Sequence, residues 1–265
     1  MSSNLKSSPL LDRPSSLTSS SASGNNVLRE LLKDPGVAHD LVPELKPVHL
    51  TVNQVLYEQG DKIEYVYFPL DCVVSVLGIM EDGTTVETAM IGREGLVGLT
   101  AILGSGSSRH WVWCSVDGSA VQLEARILDK LFLQNESALK LLLDCYRSLL
   151  TQTSQRCVCN TRHTILERLS CWLLMVHDRV GGPDRIGGHD RIGGQNLRLT
   201  QETIASRVGA RRAGITVAAG LIQGIGAIEY RRGQLHIINR HALEEMVCEC
   251  YAMMRTDSNG SEAAT

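Results

Sequence analysis

Arg211 and Arg212 open a stretch in which Ile215, Ala218, Ala219 and Ile222 recur at helical spacing, so that Arg211, Arg212 and Thr216 fall on the outward face. A guanidinium is a rigid fork of donors that matches phosphate oxygens or the O6/N7 edge of guanine, and a helix carries it at a width that enters a major groove. The chemistry implied is recognition of nucleic acid. The elements that must position these arginines lie on either side of them. Upstream, Thr200 is suited to cap a short helix on which Ile204, Ala205 and Val208 share one face, and Gly209 supplies a tight turn into a second helix over about 211–223. This spacing predicts a helix-turn-helix, a motif whose second helix presents its N-terminal end to a major groove. Downstream, Ala227 to Ile238 reads as a hairpin with Arg231, Arg232 and Gly233 at its tip.

Charge agrees with that reading. From Arg198 to Arg240 there are seven arginines and two glutamates, a net +5, whereas the whole chain is −3 and the remainder therefore −8. The asymmetry concentrates attraction for phosphate in one small region. The bland alternative is a helical domain with a solvated arginine face, and the basic hairpin argues against it.

Other residues that could do chemistry are less well arranged. Eight cysteines (72, 114, 145, 157, 159, 171, 248, 250) stand in a chain without a visible secretion signal, so reduced thiols and a cytoplasmic location are expected. Cys157/Cys159 and Cys248/Cys250 form two Cys-x-Cys pairs, but residues two apart on a helix point about 160° apart and make no two-ligand face. Buried thiols, with no metal and no cofactor, are expected. The strand region contains only His49 and His110 among histidines, with neither a Gly-x-Ser-x-Gly elbow nor a phosphate-binding glycine loop, so an enzyme is not expected.

Between Val48 and Ala125 short β-rich runs (VHLTV, VLYE, YVYF, CVVSVL, TVETAM, WVWCSV, AVQLEA) alternate with turn residues, the pattern of a sandwich or jelly roll. Trp111 and Trp113 share one face of a strand and are expected to pack in the core or at its rim. From Leu139, the residues Leu139, Leu143, Tyr146, Leu150, Thr153 and Cys157 recur at spacings of 4, 3, 4, 3 and 4, a heptad seam suited to a dimer; packing on the same chain's jelly roll is the alternative. A second helix is expected from Arg162 to Val176, with Ile165, Leu169, Trp172 and Leu173 on one face. Then comes a repeat, GGPDRI, GGHDRI, GGQNLR, read as a flexible spacer. The first 26 residues hold ten serines and are expected to be disordered, and no apolar run approaches membrane-spanning length.

LTQETIASRVG, then Arg211-Arg212, then IEYRRGQLHII, together with EYVYFPLDCVVSVLGIMEDGTTVETAMIGREGLVGLTAILG upstream, resemble the CRP/FNR superfamily of bacterial transcription regulators over about residues 40–253. The resemblance implies an α+β chain: an N-terminal jelly roll related to cyclic-nucleotide-binding domains, a long dimerisation helix and a C-terminal winged helix-turn-helix. The division expected is a tail (1–26), sensor (27–134), dimerisation and connecting helices (135–180), Gly-rich linker (181–196), winged domain with a C-terminal helix (197–254) and tail (255–265). The resemblance also implies a homodimer on a pseudo-palindromic double-stranded operator, a small-molecule effector and RNA polymerase as a candidate partner. Residues expected at DNA are Thr200, Gln201, Arg211, Arg212, Ala213, Thr216, Val217, Arg231 and Arg232. The family pattern sets Arg and Glu side by side with a second Arg four residues after the Glu; the aligned residues here are Arg212, Ala213 and Val217, so one polar reader of three is kept.

Cyclic-nucleotide binders of the family place a glutamate on the ribose and, ten residues later, an arginine on the phosphate. Alignment puts Gly98 and Ser108 at these positions, with Leu99 and Arg109 adjacent, a degenerate pocket not expected to take cAMP or cGMP. Two further readings are an interaction adaptor that has lost DNA binding, and a jelly-roll metal-dependent enzyme.

Overall fold

The computed structural model describes residues 26–104, 106–180, 197–231 and 233–258. The serine-rich tail up to residue 25, the glycine repeat over 181–196, Arg232 and residues 259–265 lie outside the described residues.

Two short helices that the sequence reading leaves out precede the sheets: α1 (Asn26–Leu31) and α2 (Pro35–Leu41). They bury Val27, Leu28, Leu31, Val37 and Leu41, and the carboxylate of Asp34 caps α2 by accepting from the backbone N–H of Gly36 and Val37. All seven β-rich runs are strands: β1 (Lys46–Leu50), β2 (Val55–Tyr57), β3 (Tyr65–Pro69), β4 (Val73–Ile79), β5 (Thr85–Ile91), β6 (Trp111–Val116) and β7 (Gly118–Glu124). They form two antiparallel sheets of order β1-β7-β3 and β2-β6-β4-β5. Tyr57, Ile63, Val74, Val112 and Cys114 fill one cluster of their interior, as period-2 burial requires.

After α3 (Thr100–Leu103), which lies between β5 and β6, α4 (Ala125–Gln134) leads to the long α5 (Glu136–Arg162), capped by Asn135. The next helix, α6, covers Ile165–Val180 rather than starting at Arg162. The reason is local: His163 is extended, and Thr164 and Glu167 form a reciprocal capping box that restarts the helix, the Glu167 carboxylate accepting from Thr164 N–H at 2.7 Å.

The C-terminal part contains β8 (Leu197–Arg198), α7 (Gln201–Val208), α8 (Arg212–Gly224), β9 (Ile228–Arg231), β10 (Gln234–Ile237), α9 (Arg240–Met246) and α10 (Cys250–Ser258). Its small sheet has the order β8-β10-β9. Helix α10 extends to Ser258, past the expected start of the tail at 255. One apolar cluster joins α6, through Leu169, Trp172, Leu173 and Val176, to α7, α8 and the wing, and reaches Val73 and Met90 of the jelly roll. The C-terminal part is thus packed directly on the jelly roll.

Candidate nucleic-acid interface, sensor pocket and junction

The Thr200 hydroxyl accepts from Thr203 N–H at 3.1 Å and starts α7, which ends at Gly209 in the left-handed region (φ 66°). Arg168 of α6 donates to the carbonyls of Val208 and Gly209, placing a cation on the exposed carbonyls at the end of α7. Arg211 then stands at the N-cap position of α8 in an extended conformation, with no side-chain capping bond, and Ile215, Ala218, Ala219 and Ile222 are buried. Gly214 lets α8 lie against α6, since a Cβ there would sit 2.4 Å from Ile165 Cδ1.

The opposite face of α8 is open. Arg211, Arg212, Ala213, Thr216 and Val217 are all exposed, Val217 at 65%. Half-buried Gln201 accepts from the Thr216 hydroxyl at 2.8 Å, which ties the start of α7 to this face. Thr200 is exposed, with its hydroxyl engaged in the cap. Arg231 is exposed at the end of β9, and Gly233 (φ 77°) completes the turn into β10. Tyr230 anchors this wing by donating its hydroxyl to Leu199 O at 2.8 Å.

Not all of the segment's arginines face this surface, which corrects the charge expectation. Arg207 is 1% exposed and turned toward the sensor, its guanidinium 4.8 Å from the Trp113 ring centroid and its Nε 3.9 Å from Glu87. Burial lowers its pKa and Glu87 opposes that shift. Arg240 is engaged by Asp178, Glu244, His177 and Tyr251 at 2.7–2.9 Å. Arg211, Arg212 and Arg231 are the segment's arginines with described side chains that are exposed. Trp113, placed at the core or rim by the strand pattern, is half-buried against Arg207.

Glu87, which the sequence reading passed over, is the centre of the junction. It is 1% exposed on β5 and accepts from Arg156 of α5 at 2.8 Å, Trp172 of α6 at 3.0 Å and Ser75 of β4 at 2.5 Å. A buried carboxylate is tolerable only with such partners. Nearby, Ser206 of α7 donates to Thr85 O at 2.9 Å, and Arg179 of α6 pairs with Glu94 at 2.7 Å. Gln152 of α5 pairs both backbone groups of Met90, accepting at 2.6 Å and donating at 3.1 Å, and so covers the edge strand β5. A glutamate at an inward position of an apolar strand run was the signal available in the sequence.

The expected pocket residues do not converge on an anion. Gly98 has φ 99°, and an added Cβ would lie 3.0 Å from the Tyr57 hydroxyl and 3.1 Å from Val66, so a side chain there is strained and crowded. Leu99 is buried in an apolar cluster. Ser108 is buried and donates to His110 O at 2.6 Å, while Arg109 beside it is exposed. Both precede β6, in a loop rather than a strand. A cleft between β5 and α5, lined by Met90, Glu94, Leu99, Cys145, Leu149 and Gln152, measures about 30 Å³, room for water and far below an ordinary ligand pocket.

Along α5, Leu139, Leu143, Tyr146 and Leu150 are 39–54% exposed, Cys157 is exposed and Thr153 half-buried. The seam therefore does not pack on its own jelly roll; Ala138, Leu142, Gln152, Arg156 and Cys159 form the inward face instead. The cysteine expectation needs a correction. Cys157 points away from Cys159 as helical geometry requires, but Cys248 precedes α10 and Cys250 opens it, so this pair is not confined to one helix. Cys159, His163, Cys248 and Cys250 bring their ligand atoms within 4.8 Å of one another. By contrast, burial raises the pKa of Cys114 and Cys145 to about 12.

A jelly roll, a long helix and a winged helix-turn-helix define the architecture of a two-domain regulator. A model described as a cyclic nucleotide-binding domain matches residues 47–135, and one described as a Crp-like helix-turn-helix domain matches 167–246. The chain belongs to the CRP/FNR superfamily of transcription regulators and carries its DNA-binding helix-turn-helix. The fold is similar to that of FixK2 from Bradyrhizobium japonicum (TM-score 0.61, 18% identity, 77% of this chain and 98% of that one). It is also similar to CLP from Xanthomonas campestris, described as a c-di-GMP responsive global regulator (0.57, 16%, 77% and 99%), and to the regulator TTHA1359 from Thermus thermophilus (0.59, 18%, 76% and 97%). No curated protein sequence matches the chain. Among the described residues no helix is long and apolar enough to cross a membrane.

Proposed function

We propose that the chain is a homodimeric, sequence-specific DNA-binding regulator acting in the cytoplasm, whose signal is not cAMP or cGMP. The observation that carries the reading is the open N-terminal face of α8, where Arg211, Arg212 and Thr216 stand beside the wing arginine Arg231 while the apolar side of the helix is buried. Arg212 reads guanine, Ala213 and Val217 make apolar contacts such as a thymine methyl, and Arg211, Arg231 and Arg232 hold phosphate, with Thr200 and Gln201 at the backbone side of the groove. Residues 27–134 sense, 135–180 connect and dimerise, and 197–254 bind DNA; the exposed seam from Leu139 to Cys157 meets its copy, presenting two recognition helices to two half-sites. A small-molecule effector acts by shifting the population of arrangements that fit both half-sites, and RNA polymerase is the partner at the promoter.

Selection from randomised duplexes at several salt concentrations tests the reading. A two-fold symmetric site with affinity that falls steeply with salt is expected; no enrichment would favour the adaptor. For the jelly roll, millimolar cAMP or cGMP is expected to leave melting temperature and operator affinity unchanged, because Gly98 and Ser108 stand where the charged partners of ribose and phosphate would. A rise consistent with micromolar binding would defeat that part.

A further inference from the structure

The one group of potential metal-ligating side chains among the described residues lies where α5 ends and α10 begins, and it shares no residue with the exposed face of α8 or with the cleft between β5 and α5. Cys159 comes from the last turns of α5, His163 ends that helix, Cys248 precedes α10 and Cys250 is its first residue. The three cysteines are at most 5% exposed and the His163 side chain 13%. We propose that Cys159, His163, Cys248 and Cys250 form a closed, four-ligand site for a single thiophilic divalent cation, Zn²⁺ by its donor set, which staples the C-terminal helix to the end of the long helix.

The geometry is that of a tetrahedral ion. Zinc bonds of about 2.3 Å to sulfur and 2.0–2.1 Å to nitrogen imply edges of about 3.8 Å between two sulfurs and about 3.5 Å between sulfur and nitrogen. The Sγ atoms of Cys159 and Cys248 are 3.7 Å apart, and Cys250 Sγ is 3.4 Å from His163 Nδ1. The remaining edges, up to 4.8 Å, contract on binding. An iron–sulfur cluster needs more room, since its thiolates ligate separate irons and point away from the centre.

The surroundings are arranged for the same purpose. His163 Nε2 faces the Glu249 carboxylate at 3.4 Å, which holds the proton on Nε2 and leaves the Nδ1 lone pair toward the sulfurs. Gln155 donates its amide N–H to Cys250 Sγ at 3.0 Å, a contact that suits a thiolate. Binding releases three protons, one from each ligating cysteine, and gives a complex of net −1, with no change of oxidation state. The site is one helical turn beyond Arg156, the α5 partner of Glu87, so the ion would hold the winged domain on the helix that also grips the sensor.

The test is metal content and coordination of the full chain, read without DNA so that its failure is separate from failure of the DNA-binding reading. Protein purified under reducing conditions and loaded with Zn²⁺ is expected to retain about one ion per chain after desalting. Co²⁺ in its place should give tetrahedral d–d absorption with thiolate charge transfer. Cys159→Ser, Cys250→Ser and His163→Gln should lose both signals, while Cys72→Ser and Cys157→Ser keep them. Should the cysteine variants fail to fold, Glu249→Gln, at a side chain 77% exposed, is expected to weaken zinc about 10–100-fold in chelator competition. Retention of no ion, a cobalt spectrum without thiolate charge transfer, or a Cys159–Cys248 disulfide in protein that reduction does not enable to bind zinc would each overturn the proposal.

Discussion

Arg207 and Arg212 stand on successive helices of one domain and meet opposite surroundings. Arg207 is 1% exposed between Trp113 and Glu87, with Nε and Nη1 lacking hydrogen-bond partners, whereas Arg212 is exposed on the open face of α8. The inward side of the helix-turn-helix uses its cation to hold the domain against the jelly roll, and the outward side leaves its own in solvent. The same division runs along α5, whose Gln152 and Arg156 are buried in the junction while Leu143 and Leu150 are 50% and 54% exposed. Net charge counted along the chain therefore overstates the charge available to DNA. What matters is which face each arginine occupies.

The largest effect is expected at the outward side of α5. Leu143→Glu with Leu150→Glu places like charges across the seam and should give monomers that keep β-rich circular dichroism, with operator affinity falling about 10²–10⁴-fold as the second half-site is lost. Dimers persisting in sedimentation would move the interface elsewhere. On the inward side, Glu87→Gln leaves the Arg156 charge buried without its counter-ion and should cost about 3–5 kcal/mol in urea unfolding. A loss below about 1 kcal/mol would mean that the junction is wetter than its burial suggests.

Arg212→Ala is expected to cost about 1–3 kcal/mol on the preferred operator and to relax selection at one base pair. Unchanged specificity in a randomised half-site series would remove Arg212 from base reading. The finest comparison sets Arg231→Ala against Arg207→Met. The first should weaken all sequences alike and reduce the salt slope by about 1, while the second alters melting temperature but leaves the slope unchanged. If Arg207→Met flattened the slope, the inward arginine would be reaching DNA.

Local signals in the sequence were enough for the elements. Seven alternating runs became seven strands; Thr200, Gly209 and the spacing of Ile215, Ala218 and Ile222 gave the helix-turn-helix; and the 4-3 spacing marked a face of α5 that is exposed on the single chain. These depend on caps, turns and periodicity within one or two turns of chain, which neighbouring residues settle. Helices α1 and α2 were missed because each is too short to show a period, and their stability comes from burial against distant residues such as Leu142.

Other features belong to the tertiary structure alone. Residues 159 and 248 lie 89 positions apart, and only the packing of α10 on α5 brings their sulfurs to 3.7 Å. Reading Cys248 and Cys250 as neighbours on one helix hid this, because the helix begins between them. Glu87 likewise shows in the sequence only as an odd residue in an apolar strand, and its partners Arg156, Trp172 and Arg207 come from three other elements. Residue types and local spacing determined which helices and strands could form and that one of them could read DNA. Which arginines are free and which cysteines meet was decided by long-range packing, because burial and pairing depend on distances that spacing along the chain does not specify.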